Sequence, residues 1–251
     1  MSGQHATFRV FRGERGEGAF KDYTTEVSGG MVVLDAIHQI QAESAPDLAA
    51  RWNCKAGKCG SCSAEINGMP RLMCMTRLAD LDLGMPVIVE PLKAFPPVRD
   101  LVTDVSWNYA VKKRIKPFTP RQPDFPDGTF RMQQADIERV QEFRKCIECF
   151  LCQDVCHVLR DHHKHAEFSG PRFFIYNAQL EMHPLDTADR VAALKDEDGI
   201  GYCNITKCCT KVCPEEIHIT DNGIIPLKER VVDRFYDPLK RLFRVFRGGA
   251  G

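Results

Sequence analysis

Twelve cysteines in 251 residues set the chemistry open to this chain. They fall into three groups. The first is Cys54, Cys59 and Cys62, followed after a gap of eleven residues by Cys74. The second is Cys146, Cys149, Cys152 and Cys156, and the third is Cys203, Cys208, Cys209 and Cys213. Closely spaced thiols serve disulfides, zinc or iron–sulfur clusters. Disulfide frameworks belong mostly to short secreted chains. Here Met1–Thr7 lead straight into a strand-like segment, without a basic stretch and an apolar one behind it. No apolar run reaches the roughly 18–20 residues of a membrane helix. The expectation is a reducing cytoplasm in which the thiols are metal ligands.

The spacing within each group narrows the metal. Cys54-x4-Cys59-x2-Cys62 with a distant Cys74 is the plant-type [2Fe–2S] pattern. Its first three cysteines share a loop rich in small residues, able to wrap a cluster and aim backbone N–H groups at its sulfurs. Cys146-x2-Cys149-x2-Cys152-x3-Cys156 is the bacterial ferredoxin run, with His157 in place of the usual proline. Cys203-x2-Thr206-x2-Cys209-x3-Cys213-Pro214 repeats that register, but threonine holds the second position. In two-cluster ferredoxins the last cysteine of each run crosses to the other cluster. That rule assigns Cys146, Cys149, Cys152 and Cys213 to a [4Fe–4S] cluster. It leaves Cys156, Cys203 and Cys209 for a [3Fe–4S] cluster, because the iron facing Thr206 would lack a thiolate. Cys208 is out of register and is the spare thiol, since neighbouring side chains usually diverge; its recruitment as a fourth ligand is the alternative. Zinc is the competing metal, but zinc modules favour two short knuckles far apart.

The elements that must position these groups form two modules, expected at 1–105 and 106–251. The first reads as α+β. Thr7–Arg12 and Phe20–Val27 are strands around a glycine-bearing turn, and Met31–Gln41 has helical spacing. Ala64–Ile66 and Met69–Cys74 flank Asn67-Gly68, the dipeptide favoured in a type I′ hairpin, which would carry Cys74 back to the loop. Pro86–Glu90 is a further strand. Val98, Leu101, Val102, Val105 and Tyr109 share one helical face, predicting a helix there. Four prolines between Pro117 and Pro126 mark an irregular stretch. Beyond it the pattern is helical, with Ile137, Val140 and Phe143 before the second cysteine group. Helices are predicted after Pro171 and across Ile224, Leu227, Val231 and Phe235.

In order and separation, the three groups resemble the iron–sulfur subunit of succinate dehydrogenase or fumarate reductase over nearly the whole chain. Cys146-Ile147-Glu148-Cys149 and Cys209-Thr210-Lys211-Val212-Cys213-Pro214 look typical of that family. The resemblance implies a β-grasp plant-type ferredoxin domain followed by an α-helical bacterial-ferredoxin-like domain. It implies a partner flavoprotein carrying FAD and a membrane anchor. It also implies electron flow from flavin through [2Fe–2S], [4Fe–4S] and [3Fe–4S] clusters to a quinone, at the cytoplasmic face of a bacterial membrane. No catalytic residue is expected in this chain, whose part would be conduction. The family's proline and tryptophans after the middle run are absent: His157–His165 stand there, and Asn204 replaces a common histidine. The usual quinone residues therefore cannot be carried over. The sequence looks closer to the branch whose anchor holds two b hemes and often uses menaquinone.

Two features remain. His157, His162, His163 and His165 suit either proton handling near a quinone or a polar face against the anchor. Residues 240–251 carry Lys240, Arg241, Arg244 and Arg247 among apolar side chains, without an acid, a composition suited to an anchor subunit or anionic lipid. Lys plus Arg balances Asp plus Glu at 34 each, so no global field points to nucleic acid.

Overall fold

The computed structural model describes residues 4–238. The basic segment 240–251 therefore lies outside the described residues. The N-terminal part is a mixed sheet. Its strands are β1 (Gln4–Glu14), β2 (Glu17–Val27), β3 (Ser63–Ile66), β4 (Met69–Leu72), β5 (Val87–Glu90), β6 (Pro97–Arg99) and β7 (Val102–Thr103). They run in the order β4-β3-β5-β1-β6-β7, with β2 also paired to β1. β1 and β2 form a long antiparallel hairpin, and β1 pairs parallel to β5. Helix α1 (Val33–Glu43) covers the sheet with Val33, Leu34, Ala36, Ile37 and Ile40. These meet Phe8, Val10, Val87 and Val89, all fully buried. The expected hairpin is present: Asn67 and Gly68 both have positive φ, 49° and 75°, as a type I′ turn requires.

Of the helix expected across Val98–Tyr109, only the stretch from Ser106 is helical; the part before it forms β6, a turn and β7. Asp100 explains the difference. It is 2% exposed, has φ of 46°, and its carboxylate accepts from Arg12, the Gly13 N–H and the Ala49 N–H. A buried acid pinned by three donors outweighs a moderate apolar periodicity.

The remainder is helical: α2 (Ser106–Arg114), α3 (Gln134–Gln141), α4 (Leu151–Asp154), α5 (His157–Arg160), α6 (Pro171–Glu181), α7 (Val191–Asp196), α8 (Cys208–Lys211) and α9 (Ile225–Phe235). Residues 117–133 hold no regular element, as the prolines predict. The helices predicted after Pro171 and near Leu227 are α6 and α9; Pro171 occupies the first turn, where a missing N–H costs nothing. Ile219–Ile224 form a wider π-helical turn leading into α9. Among the described residues no helix is long and apolar enough to cross a membrane.

Candidate metal centres

The first centre is the loop between α1 and β3. Lys55, Gly57 and Gly60 have positive φ, which curls the loop back on itself. The Ala56 and Lys58 N–H groups point at Cys54 Sγ at 3.4 and 3.3 Å, and the Cys74 N–H lies 3.5 Å from Cys62 Sγ. Cys62 and Cys74 are buried, whereas Cys54 and Cys59 are partly exposed. Burial pushes the Cys62 thiol up to about 12. At Cys59 burial acts the same way, but the Ser61 hydroxyl and backbone N–H groups outweigh it and hold the thiol down to about 7. The loop thus offers thiolate stabilisation on its outer side and a dry wall on its inner side.

The second centre is a small, largely apolar pocket. Cys146, Cys149, Cys152 and Cys213 line it, together with Ile175, Ile217 and Ile219. The structure thus places Cys213, the last cysteine of the later run, beside the first three of the earlier one. Burial pushes the Cys149 thiol up to about 12 and Cys152 well above its usual range, with the neighbouring thiols adding to it. Four thiols lining one apolar pocket are a poor arrangement of free thiols. The four soft donors on apolar walls suit a cluster. Among the described residues, no three or more His, Cys, Asp or Glu are arranged around a single ion.

The two runs share one backbone. Glu148 and Phe150 have φ of 55° and 61°; Ile205 and Lys207, at the same positions of the later run, both have 61°. A left-handed turn costs a non-glycine residue about 1–2 kcal/mol, and a β-branched Ile205 is an unusual occupant. Each pair is followed by a short helix, α4 or α8. This register places Thr206 opposite Cys149, Cys209 opposite Cys152, and Cys208 opposite Leu151.

Around the third centre, Cys208 and Cys203 are neighbouring thiols of Cys156, and burial pushes the Cys156 thiol up to about 12. Cys209 touches Thr220 Oγ1 at 3.5 Å. Cys208 does not diverge from Cys209 as expected. Its thiol reaches the Cys209 thiol, accepts from Thr206 Oγ1 at 3.2 Å, and meets the His157 side chain. Both cysteines open the α8 turn directly after the left-handed Lys207, which brings them to one side. The adjacent Cys209 thiol and the Thr206 hydroxyl hold Cys208 well below its usual range, while Cys208 and burial push Cys209 well above. Thr220 was not legible in the sequence, because only the π-helical turn returns it to Cys209.

The histidines separate. His157 and His162 meet edge to face at 6.1 Å, beside Cys208. His165 is structural: its Nε2 pairs with the Ala94 carbonyl at 2.8 Å, and its own carbonyl accepts from Trp107.

The first and second centres abut. A Cβ on Gly60, which has φ of 67°, would lie 2.6 Å from the Cys149 Cα, so only glycine permits the approach. The Ser63 hydroxyl lies within reach of both the Gly60 and Cys149 carbonyls, at 2.8 and 2.9 Å. Lys58 pairs with Glu215, just past Cys213, at 2.9 Å.

Comparisons with known proteins agree with this layout. Residues 7–109 match a family model described as a 2Fe-2S iron-sulfur cluster binding domain, and residues 142–217 one described as a 4Fe-4S dicluster domain. The fumarate reductase iron-sulfur subunit of Mycobacterium tuberculosis is 34% identical over 202 residues, covering 79% of this chain and 80% of the relative. The subunit of that name from Escherichia coli O6:H1 is 34% identical over 190 residues, covering 74% and 75%. A chain of the Mycobacterium smegmatis Sdh1 complex in the apo form superposes with a TM-score of 0.91 at 61% identity. The match covers 95% of this chain and all 100% of that one.

Proposed function

The chain belongs to the family of iron–sulfur subunits of succinate dehydrogenase and fumarate reductase, and on that premise we propose that it is the electron-transfer subunit of a membrane-bound succinate:quinone oxidoreductase. It relays electrons from the FAD of a flavoprotein through [2Fe–2S], [4Fe–4S] and [3Fe–4S] clusters to a quinone, menaquinone in this reading. Cys54, Cys59, Cys62 and Cys74 hold the first cluster. Cys146, Cys149, Cys152 and Cys213 hold the second, and Cys156, Cys203 and Cys209 the third. The β-grasp module is 1–105 and the helical module 106–251. A membrane anchor, with two b hemes in this reading, holds the chain at the cytoplasmic face of the membrane.

The observation that carries this reading is the direct contact between the first two centres, Gly60 against Cys149, on the wall of a four-thiol cavity. Clusters supply one-electron chemistry; the chain's own part is to hold them close, dry and rigid. Gly60 removes the side chain that would separate the two loops. Ser63 ties the loops together. Ile175, Ile217 and Ile219 exclude water from the second site, which limits the reorganisation that accompanies electron transfer. Thr206, with a hydroxyl where Cys149 has a thiol, leaves the third site two thiolates from its own run, Cys203 and Cys209, and Cys156 from the earlier one.

The succinate direction is favoured by 61% identity to the Sdh1 chain, against 34% to the fumarate reductase subunits. The fumarate reductase reading uses the same conduction in reverse. Copurification tests the proposal: a tag on this chain is expected to bring down a flavoprotein and a heme-bearing membrane subunit, with succinate-dependent quinone reduction. A chain recovered alone, holding zinc without iron and sulfide, would contradict it.

A further inference from the structure

Arg172 is a buried cation on the wall of the second cavity, 6% exposed. It sits in the first turn of α6, just after Pro171. Its Nη2 donates to Glu148 Oε1 at 2.6 Å, and its guanidinium lies over the Tyr176 ring at 5.5 Å. Its Nε is buried and has no hydrogen-bond partner among the described residues. A charged donor left without an acceptor is among the costliest groups a protein can bury. The remaining wall is thiols, hydrocarbon and the Glu215 side chain, which is engaged by Lys58.

We propose that Arg172 is a positioning and tuning residue for the [4Fe–4S] cluster: its Nε–H donates to a sulfur at that centre, and its charge favours the reduced cluster. This rests on the cluster reading of Cys146, Cys149, Cys152 and Cys213. A hydrogen bond to sulfur and a nearby positive charge both stabilise the state with the added electron, so both raise the reduction potential. Glu148 does not cancel the effect, because its carboxylate is shared between Arg172 and Lys112. The trio therefore keeps one net positive charge beside the cavity. Arg172 thus tunes the middle step of the relay without touching flavin or quinone.

The test is a redox titration of the assembled complex, followed by electron paramagnetic resonance, with iron and sulfide measured on each sample. Arg172→Met is expected to move the [4Fe–4S] midpoint to more negative potential and leave the [2Fe–2S] midpoint unchanged. Arg172→Lys should recover part of the shift. An Arg172→Met complex with full cluster content and an unshifted midpoint would overturn the proposal. If that variant does not retain the cluster, the unmodified complex decides. With guanidino-¹⁵N-labelled arginine, pulsed resonance of the reduced [4Fe–4S] cluster should show coupling to ¹⁵N, and its absence overturns the proposal. Lack of iron and sulfide in the unmodified complex would instead remove the cluster reading itself, and the proposal with it.

Discussion

One hydroxyl where its counterpart has a thiol distinguishes the two cysteine runs. Thr206 occupies the backbone position of Cys149, between matching left-handed residues. Cys208, the thiol nearest to it, stands at the position of Leu151. Two substitutions separate these roles. Thr206→Cys is expected to complete the third site as a [4Fe–4S] cluster and abolish the resonance of the oxidised protein. Cys208→Ser is expected to leave that resonance in place, since Cys208 is outside the register even though it meets Cys209. Loss of the oxidised signal in Cys208→Ser, with iron and sulfide still bound, would make Cys208 a ligand instead.

At the scale of elements, the parts set by local chemistry were legible. Asn67-Gly68 dictated its hairpin, Pro171 marked the start of α6, and the cysteine spacing grouped Cys213 with Cys146, Cys149 and Cys152, which line one pocket. The parts set by long-range pairing were not. Val98–Tyr109 has a helical apolar face, yet Asp100 is captured by Arg12, Gly13 and Ala49, which only the folded sheet brings together. Arg172 and Thr220 were invisible for the same reason, because their partners are distant in sequence. So was the joint between β3 and α4. There Asp154 accepts from the Ala94 N–H at 2.8 Å and faces Glu65, which is paired to Arg160 and Lys93. Burial pushes the Asp154 carboxyl up to about 8; Glu65 adds to this, and the Ala94 N–H opposes it. The folded state thus holds a proton that the unfolded chain gives up near pH 4. Stability should fall as pH rises from there through about 8. Asp154→Asn keeps the Ala94 contact and should flatten that slope in thermal unfolding of the cluster-loaded protein; an unchanged slope would mean the proton lies elsewhere.

At the scale of the whole molecule, the sheet module and the helical module meet through the metal-binding loops themselves. Gly60 touches Cys149, Ser63 reaches its carbonyl, and Lys58 reaches Glu215. Gly60→Ala would force a methyl group against backbone at 2.6 Å and strain a positive φ. The expected cost is about 2–4 kcal/mol, read as a lower unfolding midpoint, with slower electron passage from the first centre to the second. Unchanged transfer in a destabilised variant would mean that the contact is structural only. The central claim, three unlike clusters in one conducting chain, is tested most directly by electron paramagnetic resonance of the purified complex in both redox states. The account predicts a [3Fe–4S] signal in the oxidised protein and a [2Fe–2S] signal on reduction. A diamagnetic oxidised sample with full iron and sulfide content would contradict it.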